Sequence, residues 1–207
     1  MTAIFHITHL GNLPNIIRDG GLWCDQEVMQ RNLAYVSIAH QHIKERRAQK
    51  SVRYAAGGTL ANYVPFYFAP RSPMLYVINR GGVEGYQQGQ RPILHLVASA
   101  EAVRAAGLPF TFTDGHAEMD ISRFFTDLRD LTQIDWNIMR AAIWRDTLQD
   151  GDRKRRRQAE FLVHRFFPLT MIERIGVVNQ SVGLQVSTLL QPLAHKPAIT
   201  VEPGWYY

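Results

Sequence analysis

The side chains best suited to chemistry sit on three short apolar stretches: "FHITH" (Phe5–His9), "VPFYFAP" (Val64–Pro70) and "QAEFLVH" (Gln158–His164). In the first, His6 and Thr8 fall on one side of a strand and could form the edge of a ligand site, or simply end an ordinary first strand. Tyr67 could offer a flat ring to a ligand, though packing is the common use of an aromatic-rich strand. Glu160 could stabilise positive charge on a bound molecule, or could pair with a nearby arginine. Taken singly, each residue has an ordinary structural explanation.

Other chemistries lose their support. There is no Walker loop, no G-x-G-x-x-G, no H-E-x-x-H and no G-x-S-x-G, so the common nucleotide, zinc-protease and serine-hydrolase signatures are missing. Histidines are scattered and Cys24 is the only cysteine, so nothing argues for a metal or a disulfide framework. The 207 residues, 46% of them hydrophobic, suit one domain spanning 1–207. No signal peptide is apparent, and no apolar run approaches the roughly 20 residues of a membrane span. A cytoplasmic domain with no membrane contact is expected.

A net charge of +5 favours an anionic partner. The cations cluster in "IKERRAQKSVRY" (Ile43–Tyr54) and in "RKRRR" (Arg153–Arg157). Such blocks can be solvated faces or phosphate-binding surfaces.

The elements that must carry these residues read as α+β. Strands are expected at "AIFHIT", "PFYFA", "MLYVIN", "ILHLVA", "PFTFT", "AEFLVH", "RIGVVN" and "AITVEP". Helices are expected after Asn12 with Pro14 in the first turn, over 27–50, at "SAEAVRAAG" with Ser99 as cap, in two pieces over 120–145, and around "SVGLQVSTLL". "PRSP" (Pro70–Pro73) reads as a non-helical turn and "QDGDRKRRRQ" as a polar loop.

In combination the stretches resemble a known pattern. "FHITH" followed by "NLPNIIRDGGL", then the tyrosine segment, then "QAEFLVH", follow the His-Tyr-Glu order of the poly(ADP-ribose) polymerase-like transferases. "IKERR", "LANYVPFYFAPRSPMLY" and "AEFLVHRFFPL" closely resemble the DarT family of DNA ADP-ribosyltransferase toxins, over nearly the whole chain. The resemblance implies an ADP-ribosyltransferase fold: central mixed or antiparallel sheets flanked by helices. It implies NAD as co-substrate, thymidine in single-stranded DNA as acceptor, and no metal. It also implies a cognate antitoxin with ADP-ribosyl-glycohydrolase (macrodomain) activity.

Position by position, the resemblance assigns His6, Ile7 and Thr8 to NAD, with isoleucine where the polymerases have glycine. Leu22, which ends the short Gly-Gly-Leu unit, and Tyr67, expected against the nicotinamide, join them. Glu160 is the expected catalytic carboxylate, and Arg47, with Arg46 adjacent, the second essential residue. For the DNA, Arg46, Arg47, Arg71, His116, Arg153 and Lys154 are the candidates. Breaking the nicotinamide–ribose bond builds positive charge on the sugar, which a fixed carboxylate stabilises. A guanidinium is no base near neutral pH, so Arg47 is expected to steady the thymine anion while Glu160 or water takes the proton. A transferase acting on protein or RNA, and a non-catalytic nucleic-acid-binding module, are the alternatives. His9 has no assigned role.

Overall fold

The computed structural model describes residues 1–207. In chain order its strands and helices are β1 (Ala3–His9), α1 (Leu13–Arg18), β2 (Gly21–Trp23), α2 (Asp25–Gln30), α3 (Gln41–Gln49), β3 (Tyr63–Tyr67), α4 (Pro73–Asn79) and β4 (Ile93–Ser99). There follow α5 (Ala100–Ala105), β5 (Phe110–His116), β6 (Phe124–Phe125), α6 (Trp136–Arg140), α7 (Arg153–Arg156) and β7 (Ala159–His164). The chain ends with β8 (Phe166–Pro168), β9 (Arg174–Val177), α8 (Gln180–Leu190) and β10 (Ala198–Val201). None of the helices is long and apolar enough to cross a membrane.

Eight strands form one mixed sheet in the order β10-β9-β4-β1-β3-β7-β5-β6, antiparallel throughout except for β9–β10. β2 and β8 pair separately. This order places the three chemistry-bearing strands, β1, β3 and β7, side by side. Phe5 stands opposite Tyr67, and Tyr67 opposite Glu160. β1 and β4 pair along their whole length, whereas β1 and β3 meet at that single register pair. The sheet therefore opens between β1 and β3, and the opening becomes the site.

Alternation along the strands sends side chains to two cores. The larger one takes Ile4, Phe66, Phe112, Phe161, Leu94 and Leu96, and its rings stack, Phe110 on Phe161 at 5.0 Å between centroids. Each fully buried ring of this kind contributes about 1.5–3 kcal/mol. The smaller core, on the other face, gathers Ile7, Leu75, Ile78, Ile93 and Tyr206.

Four expectations are corrected. "MLYVIN" is not a strand but α4: the Ser72 hydroxyl accepts from the Leu75 amide, and Pro73 occupies the first helical position. Residues 27–50 are not one helix. Between α2 and α3 the chain leaves helix at Asn32 (φ 50°), and residues 33–40 cross over α1. Asn12, the expected cap of α1, instead bonds the Val36 amide (2.6 Å) and the Val36 carbonyl (3.0 Å), tying that crossing segment down. The basic run is not a loop but the short helix α7.

His95 lies fully buried in β4, its Nε2 donating to the Pro70 carbonyl at 3.0 Å and its Nδ1 3.3 Å from the Tyr206 hydroxyl. Burial pushes its pKa down to about 4, well below the usual histidine value. The neutral form is favoured in the folded chain, so stability is full above about pH 6.5 and falls as the pH drops towards 4. Melting curves across this range should show a shallower loss for His95→Gln than for the parent. Part of the slope should persist, because burial also lowers His6 and His164. An identical slope in the two proteins would rule out His95 as a contributor.

Candidate active site

Glu160, in β7, is buried with its two oxygens held from different directions. Arg47 Nη1 donates to Oε2 at 2.8 Å, and the Ala117 amide donates to Oε1 at 3.2 Å. A bulge makes the second contact possible. The β5–β7 pairing shifts register between Phe112 and His116, which frees the end of β5 to turn over the Glu160 side chain. Thr113 stabilises the bulge by accepting from the Glu160 amide (3.2 Å) and donating to the Gly115 carbonyl (2.6 Å).

Arg47 is the one buried residue of α3, and its side chain reaches Glu160 across 113 positions of sequence. Burial works against its charge, but Glu160 more than offsets this and its pKa rises above the ordinary guanidinium value. Arg47 is therefore a fixed cation and no proton acceptor. Its Nη2 is buried without a partner, one donor left to spend on a ligand. The pairing of Glu160 with an arginine, the ordinary explanation of such a glutamate, is thus present, but at the wall of a cleft.

The cleft has two lobes sharing Asp25, Ala39, Lys44, Pro65, Tyr67 and Met74. The narrower lobe, about 210 Å³, is lined by His6, Ile7, Thr8, Leu22 and Tyr67, the five residues singled out for NAD. His6 Nδ1 donates to the Pro65 carbonyl at 2.8 Å, and burial lowers the ring's pKa, so Nε2 keeps its lone pair. The Thr8 hydroxyl accepts from Asn12 at 3.2 Å. Burial first, and the Glu160 charge second, push the Tyr67 phenol far up, which keeps it a hydrogen-bond donor.

The wider lobe, about 850 Å³, contains Arg47, Glu160, Arg71, His116 and Lys154. Arg46 and Arg153 do not line it. Arg46 points away and pairs with Glu118 at 2.9 Å. Arg153 donates to the carbonyls of Ile143 (2.8 Å) and Arg145 (3.1 Å). The rest of the basic run is spent internally: Arg155 pairs with Asp114 and Asp152, Arg156 with Asp135, and Arg157 donates to the carbonyls of Ile138, Met139 and Arg71.

Several lining residues were not singled out from the sequence as site residues. Asn12, Asn15, Trp23 and Tyr35 line the narrower lobe, and Tyr76, Trp144 and Tyr207 the wider one. Asn15 gave no local signal, because its amide holds the Ala34 carbonyl (2.6 Å) of a segment nineteen positions away. His9, without an assigned role, caps the turn after β1 by accepting from the Gly11 amide at 2.9 Å. No group of three or more His, Cys, Asp and Glu side chains is arranged to hold a metal.

A family model described as "ssDNA thymidine ADP-ribosyltransferase, DarT" matches residues 5–207. The chain belongs to the DarT family. A DNA ADP-ribosyl transferase of Thermus sp. strain 2.9 is 47% identical over 208 aligned positions, covering 100% of this chain and 96% of that protein. One from Escherichia coli O127:H6 is 34% identical, covering 99% and 93%. The solved structure of Thermus sp. 2.9 DarT in complex with ADP-ribosylated ssDNA superposes with a TM-score of 0.93 at 47% identity, covering 100% of this chain and 96% of that one. The fold of this DarT-family chain is thus the ADP-ribosyltransferase fold expected from its motifs.

The buried pair gives a stability test. Removing one partner strands a charge and typically costs about 3–5 kcal/mol, whereas replacing both with apolar groups costs far less. Denaturant unfolding should show Arg47→Met to be less stable than the double variant Arg47→Met/Glu160→Leu. Equal or reversed order would mean that the two groups are not coupled in the folded chain.

Proposed function

We propose that this chain transfers ADP-ribose from NAD to a thymidine base of single-stranded DNA, with Glu160 and Arg47 at the meeting point of the two substrates. The observation that carries the reading is the double grip on Glu160 where Tyr67 joins the two lobes. NAD would occupy the narrower lobe, its nicotinamide against Tyr67, with the His6–Thr8 strand and Leu22 beside it. The acceptor base would enter the wider lobe, among Arg47, Arg71, His116 and Lys154.

In the reaction the ribose C1′–nicotinamide bond breaks and nicotinamide leaves with the bonding pair. The oxocarbenium charge left on the sugar is met by the Glu160 carboxylate. Such a group needs no reorganisation at the moment of reaction, because the Ala117 amide and Arg47 already fix it. A nitrogen of thymine then bonds to C1′ and loses its proton to Glu160 or water. Arg47, permanently charged and with one donor unspent, steadies the base as an anion.

Complexes with NAD+ and with ADP-ribosylated ssDNA are known for the Thermus sp. 2.9 DarT, which supports both substrates. The cationic side chains of the wider lobe suit a phosphate backbone. DarT membership also supports a toxin acting in the cytoplasm and opposed by a cognate antitoxin that removes ADP-ribose through a macrodomain. Thymidine-containing oligonucleotides incubated with NAD should gain one ADP-ribose by mass spectrometry. Glu160→Gln should lower that rate by at least about 100-fold. NAD consumed beside unmodified DNA, with label appearing on protein or RNA instead, would overturn the acceptor.

A further inference from the structure

The wider lobe carries an aromatic wall that the reaction at Glu160 does not use. Tyr76 from α4 packs edge-on against Trp144 (5.8 Å, 89°) and against Tyr207 (5.2 Å, 73°). Three distant parts of the chain thus converge on one surface of the cleft. Tyr76 is 40% exposed, and its hydroxyl takes part in no hydrogen bond that would explain a tyrosine there.

The wall is built rigidly. Trp144 Nε1 donates to the Tyr207 hydroxyl (3.1 Å), and that hydroxyl lies 3.0 Å from the Arg71 carbonyl. Gln90 accepts from the Tyr207 amide at 3.0 Å, and the Arg71 guanidinium lies over the Tyr207 ring at 4.4 Å. Arg153 completes the frame, because its bonds to the carbonyls of Ile143 and Arg145 set the segment that presents Trp144. Arg145 and Lys154 line the same lobe with exposed cationic side chains.

A preorganised ring open to solvent, flanked by cations and continuous with the acceptor lobe, has the chemistry of a single-strand nucleic-acid groove: a flat group for a base, charges for phosphates. We infer that Tyr76, braced by Trp144 and Tyr207, is the stacking platform for a base that flanks the modified thymidine, with Arg145 and Lys154 on the adjoining phosphates. The inference rests on the reading of single-stranded DNA as acceptor and adds the place where the strand is gripped beyond the reacting base.

The test uses the full-length chain, NAD, and a set of thymidine oligonucleotides with one abasic site at each flanking position in turn. Stacking of one base is worth about 1–3 kcal/mol, a factor of about 5–150. Tyr76→Ala should therefore raise the oligonucleotide KM by that order and well beyond any change in the NAD KM, whereas Tyr76→Phe, which keeps the ring, should stay near the parent. One abasic position should raise the parent's KM similarly and add nothing further in Tyr76→Ala. Trp144→Ala, in an exposed segment, should weaken the same position. The platform is overturned if Tyr76→Ala leaves the oligonucleotide KM unchanged, or if every abasic penalty is the same in the variant and the parent. If the parent itself leaves DNA unmodified, the acceptor reading falls and the platform with it.

Discussion

A carboxylate buried and charged beside a ligand cleft is unstable unless its neighbours are arranged to hold it, and the pairing of Glu160 with Arg47 answers that constraint. Desolvating the two ions costs several kcal/mol each, recovered only with good geometry and further hydrogen bonds. The Ala117 amide supplies one of those bonds. The cost explains why α3 must lie where it does. Its single buried side chain is Arg47, so the helix has no apolar stripe to dock it. Beside the buried Arg47–Glu160 pair, Arg46 bonds the nearly buried Glu118, and Lys50, just past the helix, bonds the exposed Asp120, contacts that add little on their own. Glu118 and Asp120 follow directly on Ala117, so the segment that holds one oxygen of Glu160 is also stapled to the helix that holds the other. The circuit closes on itself.

The second constraint is the parting of the sheet. Because β1 leaves β3 after one register pair, the centre of an otherwise continuous sheet becomes a slot wide enough for a ligand. Both walls of the slot are anchored in the larger core, β1 through Ile4 and β3 through Phe66, while Ile7 and Tyr67 pack towards the smaller core on the other face. Tyr67 stands at the hinge of the two lobes, with Glu160 opposite it in register. Substrates entering from the two sides would thus meet beside the one fixed carboxylate, which is the geometry a transfer between them needs.

The strands that carry the site were legible because their patterns are local. "FHITH" and "AEFLVH" alternate or run apolar between clear breaks, and both are strands with the expected bounds to within a few residues. The motif order led to the right family, which no single residue would have done. Where local pattern and tertiary demand disagree, the sequence misled. Met74–Ile78 is apolar enough for a strand, yet a serine cap and a proline at the first helical position start α4, and burial of Leu75 and Ile78 at helical spacing sustains it. Residues 33–40 carry no signal of their own, because what holds them is Asn12 and Asn15, some twenty positions upstream. The aromatic wall was invisible for the same reason: Tyr76, Trp144 and Tyr207 are brought together only by the fold.

Charge was the least faithful guide. A net +5 with a block of five consecutive cations invites a reading of the block as the DNA surface. In the folded chain three of the five are neutralised by aspartates or buried on backbone carbonyls, and a fourth, Arg153, braces a loop. Arginine suits such work because its planar fork satisfies several acceptors at once and its charge survives burial. Lys154, the lysine of the block, is the one whose side chain lines the cleft. A basic run is thus divided by chemistry: the guanidinium groups hold acidic side chains and loop carbonyls in place, and the ammonium group opens onto the cleft. The cations that line the cleft are single side chains drawn from separate parts of the chain, Arg47, Arg71, Arg145 and Lys154, whose grouping depends on the architecture that the internal arginines maintain.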